Sequence, residues 1–167
     1  MLSIDPGTQS MGWAFWDTGS RDLACRPPDA TGLIIPWRDP HNTDWWDRAV
    51  EQANGLLYKI PIPAKRLDVY CEMPVFFAGT VGGMAAAGTG SLQKLCFQVG
   101  CVAQAVRGLS CFRHFYPVLV NEWKGQLPKE VVIQRIKKLL GEKACKDYRK
   151  DMWDAVGIGL WARGVFK

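Results

Sequence analysis

The spacing of apolar and polar positions changes several times along this chain, and each change marks an element. Met1 to Ile4 is a short apolar run closed by Asp5, and Pro6-Gly7-Thr8 turns the backbone behind it. Gly12 to Trp16 then reads as a strand that pairs with the first as a hairpin, with Asp17-Thr18-Gly19-Ser20 as the next turn. Arg21 to Asp29, with its paired prolines, reads as loop, and Gly32 to Pro36 as a third strand. Leu67 to Cys71 is β-branched and aromatic in its middle and is stopped by Glu72 and Pro74. Phe112 to Val120 is the last strand-like run.

Between these runs the period lengthens to that of a helix. From Asp44, with Thr43 as N-cap, apolar residues recur at Trp46, Ala49, Val50, Ala53, Leu56 and Leu57. Ser91 to about Arg107 has an apolar face of Leu92, Leu95, Cys96, Val99, Val102, Ala103 and Val106. Its small residues Gly100, Ala103 and Ala105 permit close packing against either the sheet or a second subunit. Pro128 to Leu140 is amphipathic and ends at Gly141, with Lys137 and Lys138 in its last turns. Ala155 to Leu160 is so small and apolar that it must lie close against a sheet. Strands and helices in this order predict an α/β domain spanning residues 1–167.

Four acids stand out in that frame. Asp5 and Glu72 sit at the carboxyl ends of strands; if those strands are parallel neighbours, both open onto the crevice where ligands of open α/β sheets bind. Asp151 and Asp154, spaced i, i+3, share one face of a late helical segment. Clustered carboxylates repel one another at neutral pH, and hard oxygen donors suit Mg²⁺, so the grouping makes chemical sense with metal bound. The plainer reading leaves Asp5 as a turn residue, Glu72 as a strand-end charge and the aspartates as a solvated helix face. Asp147, four residues before Asp151, is an alternative ligand on the same helical spacing.

Ile4-Asp5-Pro6-Gly7-Thr8, Val69-Tyr70-Cys71-Glu72 and Asp151-Met152-Trp153-Asp154-Ala155-Val156-Gly157, in this order, resemble the RuvC-type Holliday-junction resolvases, a branch of the ribonuclease H-like nucleases. The resemblance spans nearly the whole chain. It implies a mixed five-stranded sheet flanked by helices, and a homodimer, joined through the helix at 91–107, that cuts opposed strands of a four-way DNA junction. It implies that Asp5, Glu72, Asp151 and Asp154 hold two Mg²⁺ ions, which Mn²⁺ can replace, and that Lys124 and Lys129 lie against the scissile phosphate. The Met73-Pro74-Val75-Phe76-Phe77 stretch and the long region from Arg21 to Pro40 mark a divergent version, such as a viral one.

Other segments bear on DNA. Phe76 or Phe77 offers a ring to stack on an unstacked base, although two adjacent phenylalanines usually include a core residue. Gly79 to Gly90, rich in glycine and alanine, is either a linker or a crevice lining that lets a nucleic-acid backbone approach closely. Lys143, Lys146, Arg149 and Lys150 form a basic run before Asp151, with Arg149 and Lys150 placed to touch backbone phosphates.

Composition narrows the field further. With 48% hydrophobic and 22% charged residues the chain is globular. No apolar stretch reaches about 18 residues, which predicts a soluble, cytoplasmic protein with no membrane partner. Net charge is +5; with the four acids set aside, 21 basic side chains face 12 acidic ones, a formal +9 suited to phosphate backbones. The six cysteines contain no Cys-x-x-Cys pair and mostly lie in apolar runs, as buried reduced thiols do. An actin-like ATPase would need about two such domains. What stays open is a junction resolvase, a broader branched-DNA or RNA nuclease of the same fold, or a noncatalytic junction-binding protein.

Overall fold

In the computed structural model the described residues are 1–17, 25–36, 44–62, 66–75 and 88–166. Five strands, β1 (Leu2–Asp5), β2 (Met11–Phe15), β3 (Ala30–Ile34), β4 (Leu67–Met73) and β5 (Phe112–Leu119), form one sheet in the order β3-β2-β1-β4-β5. β1, β2 and β3 are antiparallel neighbours, whereas β4 runs parallel to both β1 and β5. The expected hairpin and the expected parallel pair are both present.

Helices α1 (Trp45–Lys59) and α2 (Ser91–Arg107) cover one face of the sheet. The one-turn α3 (Val120–Trp123), α4 (Lys129–Leu140) and α5 (Met152–Ala162) cover the other. Strand alternation divides the core between them. Leu2, Ile4, Leu67, Val69 and Cys71 face α1 and α2, while Met1, Ser3 and Tyr70 face α5. Among the described residues no helix is long and apolar enough to cross a membrane.

Several boundaries differ from those expected. β4 does not stop before Glu72, because pairing with β5 continues through Glu72–Val118 and Met73–Leu119; Pro74 then ends it. β2 and β3 each begin before the expected strand, being held in one antiparallel register from Met11–Ile34 to Phe15–Ala30. The N-cap of α1 is Asp44, without a side-chain cap bond, and Thr43 lies outside the described residues. The buried stripe of α1 is Ala49, Gln52, Ala53 and Leu56, leaving Trp46 and Val50 exposed. α4 begins at Lys129, and Gly141 follows it with φ +84°. Of the cysteines, Cys71 and Cys145 are buried, Cys101 and Cys111 are half-buried, and Cys25 and Cys96 are exposed, contrary to a uniformly buried set.

α5 lies closest to the sheet. Every residue from Met152 to Leu160 is buried. Gly12 on β2 permits this, since a Cβ there would collide with the Asp151 carbonyl and come within 2.9 Å of Met152 N. Gly157 is the second requirement, because a Cβ there would enter the Trp123 ring. The buried Ser3 hydroxyl donates to the Ala155 carbonyl at 2.6 Å, fixing the first turn of the helix to β1.

Candidate active site

Parallel pairing of β1 and β4 ends at Ile4–Cys71, and Asp5 and Glu72 each follow by one residue. With Ile4 and Cys71 directed at α1 and α2, the alternation turns both acids toward α5. Asp151 occupies the N-cap position of α5 and Asp154 its first turn, so Asp151 stands at the helix boundary and not within the helix. The sheet and the start of α5 therefore bring together the four acids singled out by their sequence.

Their charges act on one another. Burial, then Glu72, Asp154 and Asp151, hold the Asp5 carboxyl well above the usual carboxylate range, with Lys124 opposing. Burial also raises Glu72, partly offset by Lys124 and by a hydrogen bond from Trp123. Cys71 beneath them is pushed far up by burial and by the charges of Asp5 and Glu72. Asp147 is exposed on the turn before α5 and is not among these main contributors.

Each acid other than Asp5 has a fixed partner. The Trp123 indole Nε1 donates to Glu72 Oε2 at 2.8 Å. The Ser10 hydroxyl donates to Asp151 Oδ2. Asp154, 5% exposed, accepts from Lys124 Nζ at 3.3 Å on one oxygen and from Lys129 Nζ at 2.5 Å on the other. Burial acts to lower the Lys129 pKa, but its hydrogen bond and attraction to Asp154, with Asp5 and Asp151 behind, raise it overall. No hydrogen bond or ion pair holds the Asp5 carboxylate among the described residues.

Sequence reading missed Ser10, Trp123 and the short helix that carries Trp123. α3 turns the chain directly after β5, where Glu122 Oε2 accepts from the Leu119 N–H at 2.7 Å. That turn directs Trp123 inward, 2% exposed, and places the Lys124 ammonium 4.7 Å from the Trp123 ring centroid. The available signal was Trp123 beside Lys124, but its partner lies 51 residues away. Arg149 and Lys150 are exposed just before Asp151, and Lys150 has φ +36°. Phe76, Phe77 and most of Gly79 to Gly90 lie outside the described residues.

Oxygen donors alone line the site, and the mutual repulsion that raises Asp5 is what a hard divalent cation would relieve. In that chemical sense the residues fit Mg²⁺ or Mn²⁺. As oriented, no group of three or more His, Cys, Asp or Glu side chains among the described residues is drawn together closely enough to hold an ion. Two ammonium groups instead neutralise Asp154.

No protein-family model and no curated protein sequence matches the chain. Solved structures do. Thermus thermophilus RuvC in complex with a Holliday junction substrate superposes with a TM-score of 0.60 at 19% identity, over 100% of this chain and 98% of that one. A second T. thermophilus RuvC structure matches with a TM-score of 0.56 at 18% identity, over 98% of this chain and 96% of the other. The chain has the ribonuclease H-like fold of RuvC, in a divergent sequence.

Proposed function

We propose that this protein is a metal-dependent, structure-selective DNA endonuclease that resolves four-way junctions by paired phosphodiester hydrolysis. One observation carries the reading: four acids from β1, β4 and the start of α5 converge in a fold matched over its full length by a RuvC bound to a Holliday junction.

In this reading Asp5, Glu72, Asp151 and Asp154 hold two Mg²⁺ ions, or Mn²⁺ in their place. Such ions, when bound, activate a water and stabilise the leaving oxygen of an in-line displacement, leaving 5′-phosphate and 3′-hydroxyl ends. The chain's own groups do the positioning. Trp123 fixes one oxygen of Glu72, and Ser10 one oxygen of Asp151, so neither carboxylate has to be ordered when substrate arrives. Lys124 and Lys129, already beside the acids, supply positive charge to the scissile phosphate, and Arg149 and Lys150 continue that charge along the strand. Opposed incisions need two sites related by a two-fold axis, which a homodimer joined through α2 provides. The whole of residues 1–167 serves as one nuclease domain.

The test is a side-by-side comparison of labelled four-way junction, fork, flap, linear duplex and RNA–DNA hybrid in Mg²⁺ and Mn²⁺. Symmetric paired nicks confined to the junction are expected. Equal cutting of every substrate would replace the resolvase with a general nuclease of this fold. Tight junction binding with no product in either metal would make the protein a noncatalytic binder.

A further inference from the structure

We infer that a second, oxyanion-binding site lies on the opposite side of the turn after Asp5, in the cavity between α1 and α2, and that it takes a phosphate group. The cavity measures ≈ 150 Å³, about ten times what a single water requires. Arg48, Gln52, Ser91, Lys94 and Gln98 contribute to its wall, and no carboxylate does.

Two buried glutamines define the donors. Gln52 and Gln98 are each 1% exposed, in positions where their helices otherwise present Ala, Val and Leu to the core. Gln98 Nε2 donates both to the Gly7 carbonyl, at 3.0 Å, and to Gln52 Oε1. A primary amide has two hydrogens, so those bonds use both and fix the orientation of Gln52. What is left over is Gln52 Nε2, a buried donor with no partner among the described residues. Arg48 Nε, on the same cavity wall, is likewise buried without a partner. A buried unmet donor costs about 1–3 kcal/mol, and an apolar pair would pack these helices without that cost.

The remaining wall has the same polarity. Ser91 and Lys94 belong to the first turn of α2, which has no acidic residue and no side-chain cap at Gly90. The free N–H groups of a 17-residue helix thus begin beside two cations and two unmet donors. A tetrahedral oxyanion satisfies all of them together. A phosphate held there reaches the catalytic turn through Gln52, Gln98 and the Gly7 carbonyl, two residues past Asp5. The nuclease reading bears only on what carries the phosphate: a DNA strand passing the site or a free phosphate compound.

The experiment follows the Gln52 side-chain amide in ¹⁵N-labelled full-length protein, with its resonance identified by its loss in Gln52→Leu, or in Gln52→Met should the first variant not fold. Inorganic phosphate and a four-way junction are titrated separately, against chloride at matched ionic strength. The resonance is expected to move saturably with phosphate, and Lys94→Gln is expected to weaken that binding about tenfold. In junction binding, Lys94→Gln is expected to reduce the salt slope by about one. Movement with junction alone assigns the site to a DNA backbone phosphate, and movement with phosphate alone assigns it to a free phosphate ligand. No movement with either, or equal movement with chloride, overturns the site. A protein that neither binds nor cuts the junction, yet still shifts Gln52 with phosphate, refutes the nuclease reading and keeps the oxyanion site.

Discussion

The two faces of the sheet solve different problems. On the α5 face, packing is dry and close: Gly157 lies against Trp123, Ser3 ties Ala155 to β1, and the strand-end acids emerge where that packing stops. On the α1/α2 face an otherwise apolar core contains Gln52 and Gln98, and Trp13 Nε1 and Gln52 Nε2 have no partner among the described residues. A face that fixes carboxylates gains from rigidity, whereas donors left unmet gain only from a ligand. The difference suggests that α5 sets the geometry of the chemistry and that α1 with α2 meets substrate.

Removing the charge of one acid separates these roles most sharply. Asp5→Asn should abolish junction cleavage in Mg²⁺ while raising the metal-free Tm, because it removes the most strongly opposed carboxylate. Each kcal/mol gained corresponds to about 2–4 °C, measurable by thermal melts in EDTA. Gly157→Val should come next, since overpacking against Trp123 costs roughly 1–3 kcal/mol or more and displaces the donor to Glu72. Urea unfolding and cleavage assays together check it; a native-like midpoint would show that α5 does not need the close approach.

Lys129→Ala should reduce the turnover rate by about 10²-fold, as loss of a placed charge does at other anionic transition states, with folding little changed. Trp123→Phe keeps most of the ring but removes the indole donor, so a smaller loss is expected, on the order of tenfold in the cleavage rate with junction affinity retained. Single-turnover kinetics and a binding assay distinguish the two contributions.

The smallest expected effect is on pH dependence. The folded protein binds the Asp5 proton more tightly than the unfolded chain does, and Glu72 shifts the same way. This contribution is therefore present below the ordinary carboxylate pKa of about 4 and is lost as pH rises through the higher folded value. In metal-free melts the Tm advantage of Asp5→Asn over wild type should widen across that rise. A constant difference would mean that Asp5 titrates normally.

Much of this site was legible because local rules and tertiary structure agree. Asp5 before Pro6-Gly7, Glu72 before Pro74, and Asp151-x-x-Asp154 ahead of an all-apolar helix each carry their own signal, and the β1–β4 pairing unites them. Ser91 to Arg107 was read to the residue from its helical period. Other features depend on distant partners. Nothing near Trp123 indicates that its indole reaches Glu72, and nothing near Gln52 indicates that Gln98 will meet it, so both read as ordinary helix residues. The end of β4 was placed too early because pairing with β5, unseen in the local pattern, outweighs the stop signal at Glu72.

The most direct test of the central claim is cleavage of an end-labelled four-way junction by wild type and Asp5→Asn, each with Mg²⁺ and with EDTA, beside a linear duplex of the same sequence. The account predicts symmetric paired nicks by the wild type in Mg²⁺ only, with none from the variant although it folds and binds the junction. Undiminished cleavage by folded Asp5→Asn would contradict it, because the acid at the centre of the cluster would then have no part in the reaction.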